Sequence, residues 1–423
     1  MRVFLVGASG FLGSHLLTAL TAAGHEVLAS SRRPPELALP GVQWLSLDLL
    51  ALADAAQAFD WPAGVDVLIN AAGELSSDQA AMRSLQGRAT CALFDLAAQH
   101  GVRVLQISAL GAGDHPDVAF LASKAEADEH LLGLGVPAVV LRPSLVLGAG
   151  GTSSGWLQRL SPWPLIPLLN NSARLQPLYV DDLCAAVLAL LRQWPAQPCV
   201  LPLVGPQALT QGELLDRLRA AQGWAPARYW ALPSWLSWPL AGLGEWCGWQ
   251  ALNQQTWRLA GRDNLASTAP LEQVCGYSVA PLEVRLQHWP VAAQSISQAL
   301  QPLLLLVLLL IWLGTALVCL GPGYDWGLRI MAEAGVTGWP AALAVIGGAL
   351  CDGLLGLALL RRRWRRRALQ AQIALMLGYS LLITLLLPHY WFDPYMAVGK
   401  NAAVLLLSLW LLWLTPLAHK DAR

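Results

Sequence analysis

The stretch VGASGFLGSH (Val6–His15) follows the short apolar run Val3–Val6 and opens an apolar-periodic segment, Leu12–Ala23. Its glycines stand three apart, at Gly7, Gly10 and Gly13, and each has its own physical task. Gly7 permits a tight turn, Gly10 lets backbone N–H groups approach a pyrophosphate, and Gly13 allows close packing of helix on strand. The helix N-terminus adds the positive end of its dipole, which favours an anion. A glycine triplet alone is a weak signal. Between a strand and an amphipathic helix it predicts a dinucleotide cradle, with Ser9, Phe11 and Leu12 in the same loop.

Short β-branched runs recur beyond it, at Glu26–Ser30, Trp44–Leu47, Val65–Asn70, Val102–Ser108 and Val136–Arg142. Helical patterns such as Cys91–His100 lie between them. This alternation predicts an α/β architecture, a doubly wound parallel sheet buried on both faces, over about residues 1–205. The second run ends in SSRRP, with Arg32 and Arg33 where an NAD site would place an acid. Two guanidinium groups there suit a 2′-phosphate, so NADP(H) is expected over NAD(H), unless both arginines are merely solvated. Asp48 follows the third run, beside Leu49, where a carboxylate accepts from an adenine amino group. NAAG (Asn70–Gly73) follows the fourth, and Ala71, Ala72 and Gly73 are small enough to let an adenosine ribose pass. Ordinary loop chemistry would also account for these two stretches.

Composition sets the wider frame. Charged residues make up 13% of the 423, against roughly 25% in soluble globular chains, and the hydrophobic share is 55%. That excludes a disordered chain. The formal net charge is zero, so no basic surplus exists to displace phosphate counterions, and nucleic acid is not an expected partner. The zero conceals two unlike parts: 17 basic against 22 acidic residues in 1–300, and 10 against 5 in 301–423. Seven cysteines stand without a CxxC pair or a histidine cluster, so buried reduced thiols are expected and no metal site. Met1 runs directly into an apolar run too short for a signal-peptide core, so the N-terminal part is expected on the cytoplasmic side.

Residues 206–300 change character. They hold eight of the twenty tryptophans and read as a smaller lobe on the substrate side, in reach of lipid because tryptophan favours the bilayer interface. After Gln301-Pro302, within 301–423, come four apolar stretches, at about 303–320, 339–360, 368–387 and 402–418. Each is close to the ~20 residues that cross a bilayer as a helix, so a four-helix transmembrane bundle is expected in an integral protein of a bacterial inner membrane. RRRWRRR (Arg361–Arg367) joins the second and third, whereas the opposite links carry one cation each, Arg329 and Lys400. By the positive-inside rule the arginine loop, both termini and the nucleotide-binding domain share the cytoplasmic side.

GASGFLG, NAAG, ISALGAG (Ile107–Gly113), SKAEADEHL (Ser123–Leu131), LRPSLVLGAGG (Leu141–Gly151) and YVDDLCAAV (Tyr179–Val187) occur in this order. Together they resemble the extended or atypical short-chain dehydrogenase/reductase superfamily, a Rossmann fold. Within it, the chain is most similar to the branch holding the NADPH-binding accessory subunit of respiratory complex I. The last 120 residues resemble a DoxX-like membrane domain, through WFDPYMAVGKN (Trp391–Asn401). The first resemblance implies that Ser108 polarises a substrate carbonyl, that Lys124 holds the nicotinamide ribose, and that Pro143 lies among the cofactor contacts. It also implies a tyrosine four residues before the lysine as proton donor, but Phe120 stands there. Phenylalanine exchanges no proton. His115 and Asp114 in the preceding loop are substitutes for it only if they are not simply solvated. In the membrane part, Asp352 lies inside the second span, where an ionisable side chain is costly unless it faces the bundle.

Three functions follow as expectations. One is a membrane-anchored NADPH-dependent reductase of a quinone- or isoprenoid-like substrate. Another is a non-catalytic NADPH-binding sensor or assembly factor for a membrane redox complex. The weakest is a nucleotide-sugar epimerase, which needs the missing tyrosine.

Overall fold

All six expected apolar runs pair side by side as parallel strands: β1 (Arg2–Val6), β2 (Glu26–Ser31), β3 (Val42–Ser46), β4 (Val67–Asn70), β5 (Arg103–Ile107) and β6 (Ala138–Pro143). A seventh, β7 (Cys199–Leu203), completes the sheet in the order β7-β6-β5-β4-β1-β2-β3. Sequence periodicity missed β7 because Pro202 interrupts it, and an edge strand is where a sheet tolerates proline. The structure, a computed structural model, describes residues 1–35, 39–74, 78–168, 171–246, 254–394, 396 and 398–415.

Strand side chains alternate between two cores. Val3, Leu5, Val27 and Ile69 pack with helices α1 (Phe11–Ala22) and α4 (Val180–Arg192) on one face. Phe4, Val6, Leu28 and Leu68 pack with α2 (Thr90–Gln99) and α3 (Ala119–Gly133) on the other. Burial on both faces is why the strands read as unbroken apolar runs. The strand order reverses between β1 and β4, and a crevice opens at the carboxyl ends of strands at such a switch point.

Residues up to Ser295 form one compact unit and Ile296–Arg423 a second. In the first, the region after residue 205 is tied to α4 through Asp182, which is fully buried. Its carboxylate accepts from Tyr277 Oη at 2.7 Å and from Arg285 at 2.7 and 3.1 Å.

Among the described residues, three helices are long and apolar enough to cross a membrane: α5 (Ala292–Leu320), whose first residues belong to the first unit, α7 (Trp339–Ala358) and α8 (Arg362–Leu386). α5 starts eleven residues before the expected span and runs through Pro302. A ten-residue helix that hydropathy did not reveal, α6 (Tyr324–Glu333), follows it. The fourth expected span appears as α9 (Lys400–Leu414), 15 residues or about 22 Å at 1.5 Å per residue. Its predicted end, 416–418, lies outside the described residues, as do Lys420 and Arg423 and positions 395 and 397 of the Trp391–Asn401 motif. The arginine run is helical from Arg362 onward rather than a loop. Arg365 Nε donates to Leu359 O at 3.0 Å and Arg366 to Thr415 O at 2.9 Å, so arginines satisfy carbonyls at the ends of α7 and α9. Among the described cysteines, Cys184 and Cys275 are buried free thiols but Cys351 is exposed, which corrects the expectation of uniform burial. Cys247 lies outside the described residues.

Candidate functional site

The glycine cradle is defined by contacts that a methyl group would break. Gly7 has φ +78°, and a Cβ there would lie 2.8 Å from Ala72 N. A Cβ on Gly13 would meet Gly7 O at 2.1 Å. Gly10 N donates to Gly7 O at 2.9 Å, and Gly10 begins α1 with no side chain capping it. The helix terminus is therefore left to an anion. Ser31 Oγ donates to Ser9 Oγ at 3.0 Å, tying the loop to the end of β2. The Phe11 ring lies against the segment after β6, where a Cβ on Gly151 would come within 3.0 Å of it. Leu12 is half-buried in the first turn.

Arg32 and Arg33 are both exposed just past β2, and Ser31 Oγ accepts from Arg33 N at 3.2 Å. Asp48 caps the short helix Leu49–Asp54, its Oδ1 accepting from Leu50 N at 3.0 Å, and Leu49 is buried beneath it. One carboxylate oxygen thus has a local structural task. Asn70 fixes the NAAG turn: Oδ1 accepts from Ala72 N at 3.1 Å and Nδ2 donates to Gln106 at 2.9 Å. Ala71 and Ala72 form the floor opposite Gly7, and Gly73 adjoins Lys124, whose Nζ would be 3.0 Å from a Cβ there. Pro143 ends β6, and its carbonyl accepts from Leu110 N at 2.9 Å. These residues fit a nicotinamide dinucleotide: space is reserved by missing side chains and an uncapped helix end faces it.

Lys124 is buried on α3, and its ammonium donates to Ala72 O at 3.2 Å and Ile107 O at 3.0 Å. Two of its three protons staple the segment that follows β4 to the end of β5. Burial pushes its pKa down to about 8, the Asp128 carboxylate pulling the other way. Ser108 also lies in this region, but its hydroxyl donates inward to Asp128 Oδ2 at 2.7 Å. Arg142 Nε donates to the same oxygen at 3.0 Å, and Asp128 Oδ1 has no partner. Burial raises the pKa of Asp128. Sequence reasoning missed Asp128 and Arg142. The available signal was spacing, since Asp128 follows Lys124 by one helical turn and shares its buried face. Phe120 is half-buried, and its carbonyl accepts from Ser123 Oγ. His115 adjoins Gly111, while Asp114 is exposed.

The lysine gives a pH test. Its folded pKa lies below the ordinary 10.5, so the unfolded chain binds the proton more readily between about pH 8 and 10.5. Stability should rise with pH across that window, by about 3 kcal/mol at 1.36 kcal/mol per pH unit, and fall away as pH drops through 8. Denaturant midpoints of the wild type minus those of Lys124→Met measure this, and a flat difference would contradict the burial.

A cleft of about 770 Å³ lies elsewhere, between α2 and α3, lined by Arg88, Cys91, Asp95, Glu126 and His130 among others. It holds none of the nominated residues. Its cysteine thiol is pushed up to about 11 by burial, so it offers no ready nucleophile.

Residues 3–198 match the NAD dependent epimerase/dehydratase family, and residues 309–409 match the DoxX-like family. The chain therefore carries an N-terminal NAD(P)-binding domain of the epimerase and short-chain dehydrogenase type and a C-terminal DoxX-like domain. It is 27% identical over 201 residues to a ceramide reductase of Caulobacter vibrioides, covering 45% of this chain and 61% of that protein. It is 29% identical over 224 residues to the mitochondrial NADH dehydrogenase (ubiquinone) 1 alpha subcomplex subunit 9 of Arabidopsis thaliana, covering 50% and 55%. The matched region thus spans little more than half of these curated relatives. Solved structures of the same fold include the UDP-glucose 4-epimerase of Thermotoga maritima, 15% identical with a TM-score of 0.53 over 68% of this chain and 97% of that one. MoeE5 in complex with UDP-glucuronic acid and NAD is 18% identical, with a TM-score of 0.52 over 68% and 96%. At these identities only the fold is shared.

Proposed function

We propose that this chain is a membrane-anchored, NADPH-preferring reductase of a lipid-soluble carbonyl or quinone-like substrate. The observation that carries the reading is the Ser108–Asp128 hydrogen bond, because it supplies a proton route where Phe120 has replaced the tyrosine. The bound nicotinamide would supply the hydride. Lys124 would hold the ribose with its remaining proton, and Ser108 Oγ, just past the end of β5, would turn its proton from Asp128 to the substrate oxygen. The Asp128 carboxyl, whose pKa burial raises, accepts from Ser108 and is the adjacent group placed to exchange a proton with it. One hydride and one proton convert a carbonyl to an alcohol, or a quinone to a quinol. The similarity to a ceramide reductase supports a lipid substrate, and the three membrane-length helices support membrane anchoring. The arginines at the start of α8 support a cytoplasmic nucleotide-binding unit and cytoplasmic termini, in a bacterial inner membrane.

A second reading, a non-catalytic NADPH-binding sensor or assembly factor for a membrane redox complex, is favoured by Phe120 and by the similarity to subunit 9. Detergent-purified protein, incubated with NADPH and a panel of quinones, ceramide precursors and isoprenoid ketones, separates the two. The reductase oxidises NADPH with at least one acceptor. Ser108→Ala then lowers kcat by about 10²–10⁴ while NADPH affinity holds. Tight NADPH binding without turnover on any acceptor supports the second reading and removes the first.

Cofactor preference is tested separately. Arg32→Ala with Arg33→Ala should weaken NADPH binding by about 10–100-fold for each charge-assisted hydrogen bond lost, at roughly 1.5–3 kcal/mol apiece. NADH affinity should stay unchanged, and a parallel loss for both dinucleotides would contradict the assignment.

A further inference from the structure

The first unit exposes thirteen large apolar side chains among its described residues, and seven of them fall in two short segments, 156–165 and 230–243. The fold brings these segments together: Leu165–Leu168 pairs in parallel with Arg228–Ala231. Alternation then sorts the side chains. Ile166 and Leu168 are buried against Leu215, with Tyr229 packed beside them. Leu165 (59% exposed) and Trp230 (54%) face outward, in register with Arg228 and Pro167. Trp163 precedes Leu165 by two residues, and Trp235, 75% exposed, begins the next helix. Trp238 in that helix is braced by Trp257, ring edge to face at 5.0 Å, so the helix is held to the unit with its indoles outward.

Such a face needs a cover, because monomeric soluble surfaces rarely gather apolar groups in this way. Its chemistry selects which. Residues 153–168 and 224–244 contain six tryptophans, two arginines (Arg159 and Arg228, both exposed) and no acidic residue, within a unit that is acidic overall. Indoles prefer the headgroup level of a bilayer, and isolated arginines there meet anionic lipid. A protein partner matched to an acid-free tryptophan face is a less direct fit than a bilayer, which three helices of the same chain are long and apolar enough to cross.

We infer that the tryptophan face formed by residues 156–168 and 228–243 docks on the anionic bilayer interface, as a second membrane contact separate from the spanning helices. This holds whether or not the site turns over. The full chain is tested in nanodiscs of phosphatidylcholine and phosphatidylglycerol, with an encoded fluorescent amino acid at Leu165, at Trp230 or, as control, at exposed Gln43 on β3. Docking predicts several-fold stronger quenching by doxyl-labelled acyl chains at 165 and 230 than at 43. It also predicts protection of the first two from aqueous iodide. Equal lipid quenching at all three sites overturns the inference. So does protection from iodide without lipid quenching, which would assign the face to a second copy or another protein. Both substituted side chains point away from Ile166 and Leu168, so folding is spared.

Discussion

Gly13→Val is expected to abolish dinucleotide binding and to lower the melting temperature of the nucleotide-binding unit. A Cβ at this position falls 2.1 Å from Gly7 O and 2.8 Å from Ala8 Cα. Both obstacles are backbone, so no rotamer change relieves them, and α1 must move off β1. Overpacking of this kind costs about 1–3 kcal/mol in stability even where neighbours yield. The larger loss falls on binding. The first turn of α1 would no longer aim its N–H groups at the pyrophosphate, and Gly7 would lose the turn that brings it against Ala72. NADPH titration by fluorescence should show at least about a hundredfold weaker binding, or roughly 2.7 kcal/mol. Gly155→Ala makes the control, because a Cβ there meets nothing within 4 Å. Near-wild-type affinity in Gly13→Val would mean that the glycines are turn residues and not a cradle.

The glycine loop was legible because its residues act locally: the motif, the strand before it and the helix after it are contiguous. The same holds for Asn70 and for the six strands whose apolar runs announce burial on two faces. What could not be read depends on elements that meet only in space. β7 is broken by Pro202 and is recognised through its pairing with β6. Asp48 looked like a ligand for adenine, yet one of its oxygens caps a helix that hydropathy did not predict. Arg361–Arg367 read as a loop because charge implies solvent, whereas the backbone stays helical and the guanidinium groups reach neighbouring helix ends. At the site, sequence nominated Ser108 and Lys124 but not the carboxylate that engages the serine, since Asp128 lies 20 positions away from it in the chain.

Asp128→Ala should destabilise the nucleotide-binding unit by about 3–5 kcal/mol, the cost of removing one partner from a buried ion pair. The carboxylate is fully buried, takes hydrogen bonds from Ser108 Oγ and Arg142 Nε and forms an ion pair with Arg142 Nη2, all within 3.0 Å. Its loss leaves a guanidinium that is 22% exposed and a buried ammonium without a counter-charge. Against a typical total of roughly 5–15 kcal/mol, that brings the unit close to unfolding. The double variant Asp128→Leu with Arg142→Met separates charge from shape, because apolar replacement of both partners is often neutral. Guanidinium melts of the full chain in detergent, followed through the transition of this unit, should show the double variant recovering most of the loss. Asp128→Asn keeps an acceptor for Ser108 but removes the charge that supports protonation of Lys124. In that variant the pH-dependent gain in stability should begin below pH 8 instead of at it. A single-variant cost under about 1 kcal/mol would place Asp128 among exposed ion pairs and remove the proton route that runs through it.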